Sequence, residues 1–222
     1  MLYDSEYFLR REYDHDPKRE AMYVQEIRRL IVKFQIADAR LNILDVGCGL
    51  GGWFAHAHYT GWKKYAIEPS KYAAAVAREK GITVLEFKDI DDGAMDVVIF
   101  RGSIQHIDEP FKALREATRV LVKGGLLIFL ATPNTGSIVY RLFGHLPALD
   151  PPRNWLLVSE KQLRQILTNL GYEQIEFYFP YWFTPYARPA LDFMKFALRC
   201  LGIRVGKYAF PKNMMECYAV RP

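Results

Sequence analysis

The stretch Leu44–Gly52, LDVGCGLGG, decides the fold of this 222-residue chain. It overlaps a short apolar run, Asn42–Val46, which predicts a buried strand, and it leads into a predicted helix, Gly52–Tyr59. Its middle contains three alternating glycines, Gly47, Gly49 and Gly51. Glycines permit a tight turn and the close approach of a ligand, and the helix N-terminus after them offers free N–H groups to an anion. The stretch therefore predicts a strand–loop–helix unit that binds a ligand.

Apolar strands and amphipathic helices alternate on both sides of this unit. Further strands are predicted at Lys64–Ile67, Thr83–Phe87, Asp96–Phe100, Leu126–Ala131, Tyr172–Phe179 and Met215–Arg221. Helices are predicted at residues 17–37, Ser70–Lys80, Glu109–Val120 capped by Asp108, Ser159–Leu170 and Pro189–Ile203, and Pro133–Asn154 reads as a connector. This pattern predicts an α/β fold with a Rossmann-like doubly wound sheet that is mostly parallel and has an antiparallel last strand.

The length fits one domain spanning residues 1–222. We expect an N-terminal helical lid in residues 1–40, a cofactor-binding core in 41–135, and an acceptor-side half in 136–222 with an aromatic, helical insert at 180–212. Aromatic residues of the lid, Tyr3, Tyr7, Phe8 and Tyr13, are candidates to fold over the ligand.

Three acids stand at the predicted carboxyl ends of the first three strands, where open α/β sheets bind ligands. Asp45 would meet a cationic ligand group, Glu68 could accept hydrogen bonds from ribose hydroxyls, and Asp89 could accept one from an exocyclic amine. Gly47, Gly49 and Gly52 also satisfy the dinucleotide pattern GxGxxG, which alone is weak. Asp45 disfavours that interpretation because it would repel a pyrophosphate.

The chain resembles the class I S-adenosylmethionine-dependent methyltransferases, including those of ubiquinone and menaquinone biosynthesis. The segments that carry the resemblance are LDVGCGLGG, AIEPS (Ala66–Ser70), FKDI (Phe87–Ile90), DVVIFRGSIQHIDEP (Asp96–Pro110) and LREATRVLVKGGLLIFLATPN (Leu114–Asn134). They lie within residues 20–180. One departure is Lys123, where the family often has proline before Gly-Gly.

The resemblance implies S-adenosyl-L-methionine as cofactor, S-adenosyl-L-homocysteine as its product, and a role for each matching residue. The methionine end of the cofactor would be held by Asp45, Gly47, Cys48, Gly49 and Gly51. The ribose would be held by Glu68 beside Pro69, the adenine by Asp89 and Ile90, and the methyl centre would be flanked by Arg101 and Gly102.

Methyl transfer needs no protein nucleophile, but a hydroxyl acceptor benefits from a general base. His106, after the fourth strand, is the candidate base, and packing beneath the site is the alternative for it. We expect transfer to a small-molecule acceptor, with oxygen slightly favoured, such as a quinone precursor, a glycan or a secondary metabolite. A catalytically silent cofactor-binding module and an NAD-linked oxidoreductase are the alternatives.

The net charge of +5 lies in one segment. Residues 1–40 and 41–140 are each neutral, whereas residues 185–212 contain six basic side chains and one acid. Eleven aromatic residues fall within positions 176–210. Three interpretations of this insert stay open: a cover over the acceptor, a contact in a homodimer, and a peripheral membrane contact through residues 185–212. We expect no nucleic-acid partner, because the basic residues do not form a broad face.

Three dispersed cysteines, Cys48, Cys200 and Cys217, indicate a reducing compartment and no metal site. The acidic N-terminus has no apolar signal-peptide core, and no apolar run reaches the length of a membrane span. These features favour a cytoplasmic location.

Overall fold

The computed structural model describes residues 5–9, 16–36, 40–57, 61–146, 149 and 153–222. The strands are β1 (Asn42–Val46), β2 (Lys63–Ile67), β3 (Thr83–Val84), β4 (Met95–Arg101), β5 (Leu121–Pro133), β6 (Glu173–Tyr178) and β7 (Met214–Val220). The helices are α1 (Ser5–Leu9), α2 (Pro17–Phe34), α3 (Gly52–Ala55), α4 (Lys71–Glu79), α5 (Pro110–Val120), α6 (Ile138–Phe143), α7 (Glu160–Asn169) and α8 (Pro189–Cys200).

The seven strands form one sheet in the order β3-β2-β1-β4-β5-β7-β6. Strands β3, β2, β1, β4 and β5 pair in parallel, while β7 runs antiparallel to both β5 and β6. The predicted fold class, a mostly parallel doubly wound sheet with an antiparallel last strand, is confirmed. Because β6 is parallel to β5, the insert between β6 and β7 starts and ends at the same sheet edge as the glycine loop.

Two apolar cores cover the two faces of the sheet. One packs α5 and α7 against residues such as Phe100 and Phe129, and the other packs α2 and α3 against residues such as Ile43 and Ile99. A third apolar cluster joins α6 to the insert through Val139, Leu146, Tyr208 and Phe210. The inner aromatic residues of the insert therefore have a core of their own.

Capping residues set several helix ends. The Asp16 carboxylate accepts a hydrogen bond from the Lys18 N–H at 3.0 Å, and Pro17 begins α2. Ser159 and Gln162 form a capping box at the start of α7. Helix α2 ends at Phe34, short of the predicted 37, because Gln35 turns left-handed at φ 53°. Residues 37–39 lie outside the described part of the chain.

Other predicted boundaries are wrong. Helix α3 ends at Ala55, well before the predicted end at Tyr59, because the chain turns at His56. Strand β3 covers two residues, since the chain leaves it for a 3-10 turn at Phe87–Asp89. Helix α8 ends at Cys200, and left-handed Gly202, with φ 80°, follows before the predicted end at Ile203.

The connector Pro133–Asn154 contains a helix that the sequence analysis did not predict. Ser137 caps α6 by accepting a hydrogen bond from the Tyr140 N–H, and left-handed Gly144 ends the helix. The N-cap of α5 is Glu109 rather than the predicted Asp108, whose carboxylate accepts from the Glu109 N–H. Among the described residues, no helix is long and apolar enough to cross a membrane.

Candidate active site

The glycine loop after β1 is fixed in a conformation that other residues rarely adopt. Gly47, Gly49 and Gly51 all have positive φ, at 81°, 56° and 74°. A Cβ at Gly47 would lie 2.6 Å from the Cβ of Ser103. The Ser103 hydroxyl donates to the Val46 carbonyl, so the segment after β4 is tied to the end of β1. The loop is thus a close-packed cradle at the carboxyl edge of the sheet.

Asp45 brings a buried carboxylate to this cradle. Its side chain is 2% exposed, and its Oδ1 has no hydrogen-bond partner among the described residues. Burial raises the pKa of Asp45 to about 7, although the nearby Arg101 charge opposes the rise. A buried carboxylate oxygen without a partner is unfavourable, so this atom is suited to a ligand that donates a hydrogen bond.

Glu68 links the glycine loop to the end of β2. Its Oε2 accepts from the Gly49 N–H at 2.8 Å and its Oε1 accepts from the Ser70 N–H at 2.9 Å. Burial raises the pKa of Glu68, while the two N–H donors lower it. Each carboxylate oxygen has a second lone pair, so Glu68 can hold the loop and still accept ligand hydroxyls. Pro69, which lies between Glu68 and Ser70 in the chain, is exposed.

The segment after β3 carries Asp89 and Ile90. Asp89 is exposed and its Oδ2 accepts from the Glu86 N–H at 3.3 Å. Ile90 is buried in the core, and its carbonyl accepts from Arg119 Nη1 at 2.9 Å. Asp89 therefore presents its carboxylate at the surface, beside a backbone segment that Arg119 holds in place.

Cys48 lies within the cradle and is half-buried. Its Sγ donates to the Gly49 carbonyl at 3.4 Å. Burial raises the pKa of the thiol, so it stays protonated at neutral pH. This environment suits a packing residue rather than a reactive thiolate.

Arg101, at the end of β4, forms an ion pair that was not predicted from the sequence. Its Nε lies 2.7 Å and its Nη2 3.2 Å from the two carboxylate oxygens of Glu26 on α2. The guanidinium also lies 4.3 Å above the ring of Tyr23. The next residue, Gly102, donates its N–H to the Leu130 carbonyl at 2.8 Å. Arg101 thus anchors α2 beside Asp45.

His106 lies in the 3-10 turn that follows β4 and is half-buried. Its Nδ1 is 2.8 Å from the Arg153 carbonyl oxygen. Since a carbonyl only accepts, this contact places a proton on Nδ1, and a neutral imidazole then has its lone pair on Nε2. The structure therefore fixes the tautomer of a neutral His106, with the proton on Nδ1.

The N-terminal helix reaches the glycine loop. Phe8 of α1 is buried, and its ring lies 3.6 Å from the position that a Cβ of Gly49 would take. Tyr7 packs edge-on against Phe8 at 5.1 Å between ring centroids. Tyr3 and Tyr13, named with them in the sequence analysis, lie outside the described residues.

Tyr23 and Glu26, on α2, are site residues that the sequence analysis missed. The Tyr23 ring lies 3.1 Å from the position of a Cβ on Gly52, so its side chain covers the start of α3. Glu26 is 1% exposed. Both fall on the apolar stripe that continues with Ile27 and Leu30, at spacings of three and four residues. The sequence signal for Glu26 was the position of an acidic residue on the otherwise apolar side of a predicted helix.

Two further polar groups are buried at this edge without a partner among the described residues. They are Gln105 Oε1, after β4, and the side-chain amide of Asn213, before β7. Gln105 also donates to the Gly102 carbonyl at 3.0 Å. Among the same residues, no group of three His, Cys, Asp or Glu side chains is placed to hold a metal ion.

The family profile described as a methyltransferase domain matches residues 13–176. The chain belongs to this methyltransferase family. The family expected from the sequence motifs is thereby confirmed, and the matched range includes the glycine loop and the 3-10 turn with His106.

Relatives and solved structures in this methyltransferase group are similar to the chain over different lengths. The sarcosine/dimethylglycine N-methyltransferase of Halorhodospira halochloris is 31% identical over 148 residues, which are 61% of this chain and 52% of that protein. The ubiquinone biosynthesis O-methyltransferase of Sodalis glossinidius is 37% identical over 106 residues, 42% of this chain and 41% of that protein. The chain spans about half the length, or less, of these curated relatives.

A crystal structure of a SAM-dependent methyltransferase from Archaeoglobus fulgidus superposes with a TM-score of 0.67. It is 16% identical, and the match covers 97% of this chain and 99% of that one. This likeness shows a shared fold over almost the whole chain.

Proposed function

We propose that the protein transfers a methyl group from S-adenosyl-L-methionine to a small-molecule acceptor. The observation that carries the proposal is the Asp45 carboxylate, buried at a left-handed glycine loop with an oxygen that no described residue satisfies. The cofactor has an ammonium group and a sulfonium, so it can both donate to Asp45 and benefit from negative charge nearby.

The residues at the carboxyl edge carry charges and hydrogen-bond acceptors that complement the groups of the cofactor. We infer that Asp45 accepts from its ammonium, while the loop of Gly47, Cys48, Gly49 and Gly51 surrounds its methionine end. Glu68, beside Pro69, has lone pairs left for the ribose hydroxyls, and we infer that Asp89 and the backbone of Ile90 bind the adenine. Asp45 and Glu68 contribute negative charge, and Glu26 neutralises the nearby Arg101.

Bound cofactor supplies an activated methyl group, because the electrons of the breaking C–S bond leave with a neutral thioether. The protein has to align the acceptor with that methyl group and exclude water. Phe8 covers the glycine loop from α1, and Tyr23 covers the start of α3. The segment Arg101–Ser103 is held close to the loop through Ser103 and Glu26.

We infer that the acceptor is a hydroxyl and that His106 is its base. The contact of Nδ1 with the Arg153 carbonyl directs the basic lone pair to Nε2. In the reaction the hydroxyl proton moves to Nε2 while the hydroxyl oxygen forms the new bond to the methyl carbon. Gln105 and Asn213, with unsatisfied buried amide groups, are candidates to bind polar atoms of the acceptor.

The experiment that tests the proposal uses S-adenosylmethionine with a deuterium-labelled methyl group. Purified protein and this cofactor are incubated with small-molecule extracts, and mass spectrometry identifies the compounds that gain the label. We expect at least one labelled product with wild type, with the label on oxygen, and a much lower yield of that product with D45N.

The controls separate the proposal from its alternatives. Binding of S-adenosylhomocysteine without labelling in any extract would favour a silent binding module. A label on nitrogen would leave methyl transfer intact and remove the role of His106 as a hydroxyl base. Binding of NAD in place of S-adenosylhomocysteine would contradict the proposed cofactor.

A further inference from the structure

The helix of the insert, α8, turns its polar side chains toward the protein. Asp192 is 3% exposed and accepts from the Tyr181 hydroxyl at 3.1 Å and from the Arg188 N–H at 2.7 Å. Lys195 Nζ donates to the Lys207 carbonyl at 3.0 Å. Arg199 lies on the same side of α8 as Asp192 and Lys195, which we call the polar stripe, and its guanidinium lies 4.2 Å from the ring centroid of Phe143 on α6. All three polar residues of the helix thus have partners within the insert or α6.

The opposite side of α8 is apolar and exposed. Phe193 is 44% exposed, Met194 51% and Leu201, just after the helix, 77%. With the exposed Ala190 and Ala197 they recur at spacings of three and four residues, which is one stripe of a helix. A surface helix normally packs its apolar side against the protein and exposes its polar side to water. Because α8 does the opposite, its apolar stripe is suited to an apolar environment outside the protein.

The adjoining turn enlarges this surface. Trp182 and Phe183 are 63% and 64% exposed, and their neighbour Tyr181 lies beside α8, with its ring 6.4 Å from that of Phe193. Ile203, beyond the C-terminus of α8, is 48% exposed. We call Trp182, Phe183, Phe193, Met194, Leu201 and Ile203 the outer apolar face.

The exposed charges of the insert itself are of one sign. Residues 177–215 contain six basic side chains and a single acid, Asp192, which is buried. Arg188, Arg204 and Lys207 are exposed. At the rim, Asp16 accepts from the Tyr186 hydroxyl at 2.9 Å, and Lys18 lies 5.8 Å from the Tyr186 ring. The insert therefore exposes apolar and cationic side chains to solvent, while its one acidic side chain, Asp192, is buried.

We propose that the outer apolar face binds the surface of an anionic lipid bilayer. Exposed aromatic and aliphatic side chains insert at the headgroup level, and flanking Lys and Arg side chains are attracted to anionic lipids. A second copy of the chain fits less well, since a two-fold contact would bring the same cations of both copies together. The proposal does not depend on methyl transfer.

The test is co-sedimentation of the full chain with vesicles of phosphatidylglycerol or of phosphatidylcholine alone. We expect binding to phosphatidylglycerol that weakens as salt is added, and little binding to phosphatidylcholine. W182S/F183S should reduce the bound fraction at least about tenfold by removing the inserted groups, and R204Q/K207Q should reduce it by removing charge. F111S/K112Q, on α5, removes an exposed aromatic residue and a cation outside the insert and should bind as wild type does.

All variants should retain the unfolding midpoint and the S-adenosylhomocysteine affinity of wild type, which shows that they are folded. Absence of co-sedimentation by folded wild type would overturn the proposal, as would unchanged binding by W182S/F183S. A dimer in analytical ultracentrifugation that W182S/F183S dissociates, without vesicle binding, would assign the face to a second copy instead.

Discussion

Arg101 and Glu26 form a two-point ion pair in the interior, with the guanidinium at the end of β4 and the carboxylate on α2. The side chain of Glu26 is 1% exposed and that of Arg101 13%. The pair connects residues 75 positions apart and lies next to the Asp45 carboxylate. It holds α2 against β4, the strand that precedes His106.

Loss of one partner of this pair should destabilise the fold strongly. E26Q leaves the Arg101 charge buried without its counter-ion, and such changes lower the free energy of unfolding by about 3–5 kcal/mol. Urea denaturation measures the difference. The control is E109Q, which breaks the exposed pair with Lys112 and should cause no measurable change. Equal stability of E26Q and E109Q would show that the buried pair does not anchor α2.

Cofactor binding should depend on pH through Asp45. Burial raises its pKa to about 7 in the free protein, whereas the cofactor ammonium needs the ionised carboxylate. Below pH about 7 the carboxyl is protonated before binding, so the Kd for S-adenosylhomocysteine should rise by up to about tenfold per pH unit as the pH falls. Above that pH it should level off. Calorimetric titration from about pH 5.5 to about pH 8 measures this, with D45N as the weaker, pH-independent control. A flat wild-type profile would contradict the assignment of Asp45.

The packing of the glycine loop predicts different effects for two alanine substitutions. Gly47 and Gly171 have similar positive φ, 81° and 88°, but only Gly47 has a neighbour within 4 Å of a new Cβ. G171A should lower the free energy of unfolding by about 1–2 kcal/mol through backbone strain alone. G47A should lower the free energy of unfolding by about 1–3 kcal/mol more than G171A, because its Cβ would clash with the Ser103 side chain. It should also weaken S-adenosylhomocysteine binding, which G171A leaves unchanged; equal effects of the two would argue against a close-packed cradle.

His106 should affect the methyl-transfer rate and not cofactor affinity. H106N removes the basic Nε2 while keeping a polar side chain, so the rate to a hydroxyl acceptor should fall by about 10²–10⁴-fold. The Kd for S-adenosylhomocysteine should stay the same. H145N replaces an exposed histidine and should behave as wild type. A change in H106N confined to thermal stability, with the rate retained, would favour packing as the role of His106.

The parts of the fold that sequence could predict are those set by local chemistry. The apolar run before Gly47 and the caps at Asp16 and Ser159 each act within a few residues, and the structure contains the strand and helices that they indicate. Helix α6 was missed because it has six residues and lies in a proline-rich connector, where periodicity is too short to read.

The parts that sequence could not predict depend on contacts between distant segments. Arg101 was expected beside the cofactor, yet its partner Glu26 is known only once α2 is packed on the sheet. The spacing of Asp192, Lys195 and Arg199 places them on one side of α8, but the sequence does not say which way that side faces. Tyr181 and the Lys207 carbonyl turn that side inward, and this leaves the apolar side exposed.

The central claim is that this chain binds S-adenosylmethionine through Asp45 and the glycine loop, and the most direct test is calorimetric titration with S-adenosylhomocysteine. The account predicts saturable binding at one site for wild type, and a loss of affinity of at least about tenfold for D45N, whose amide no longer offers a carboxylate to the ligand ammonium. Absence of binding of both S-adenosylhomocysteine and S-adenosylmethionine to folded wild-type protein at millimolar concentration would contradict it.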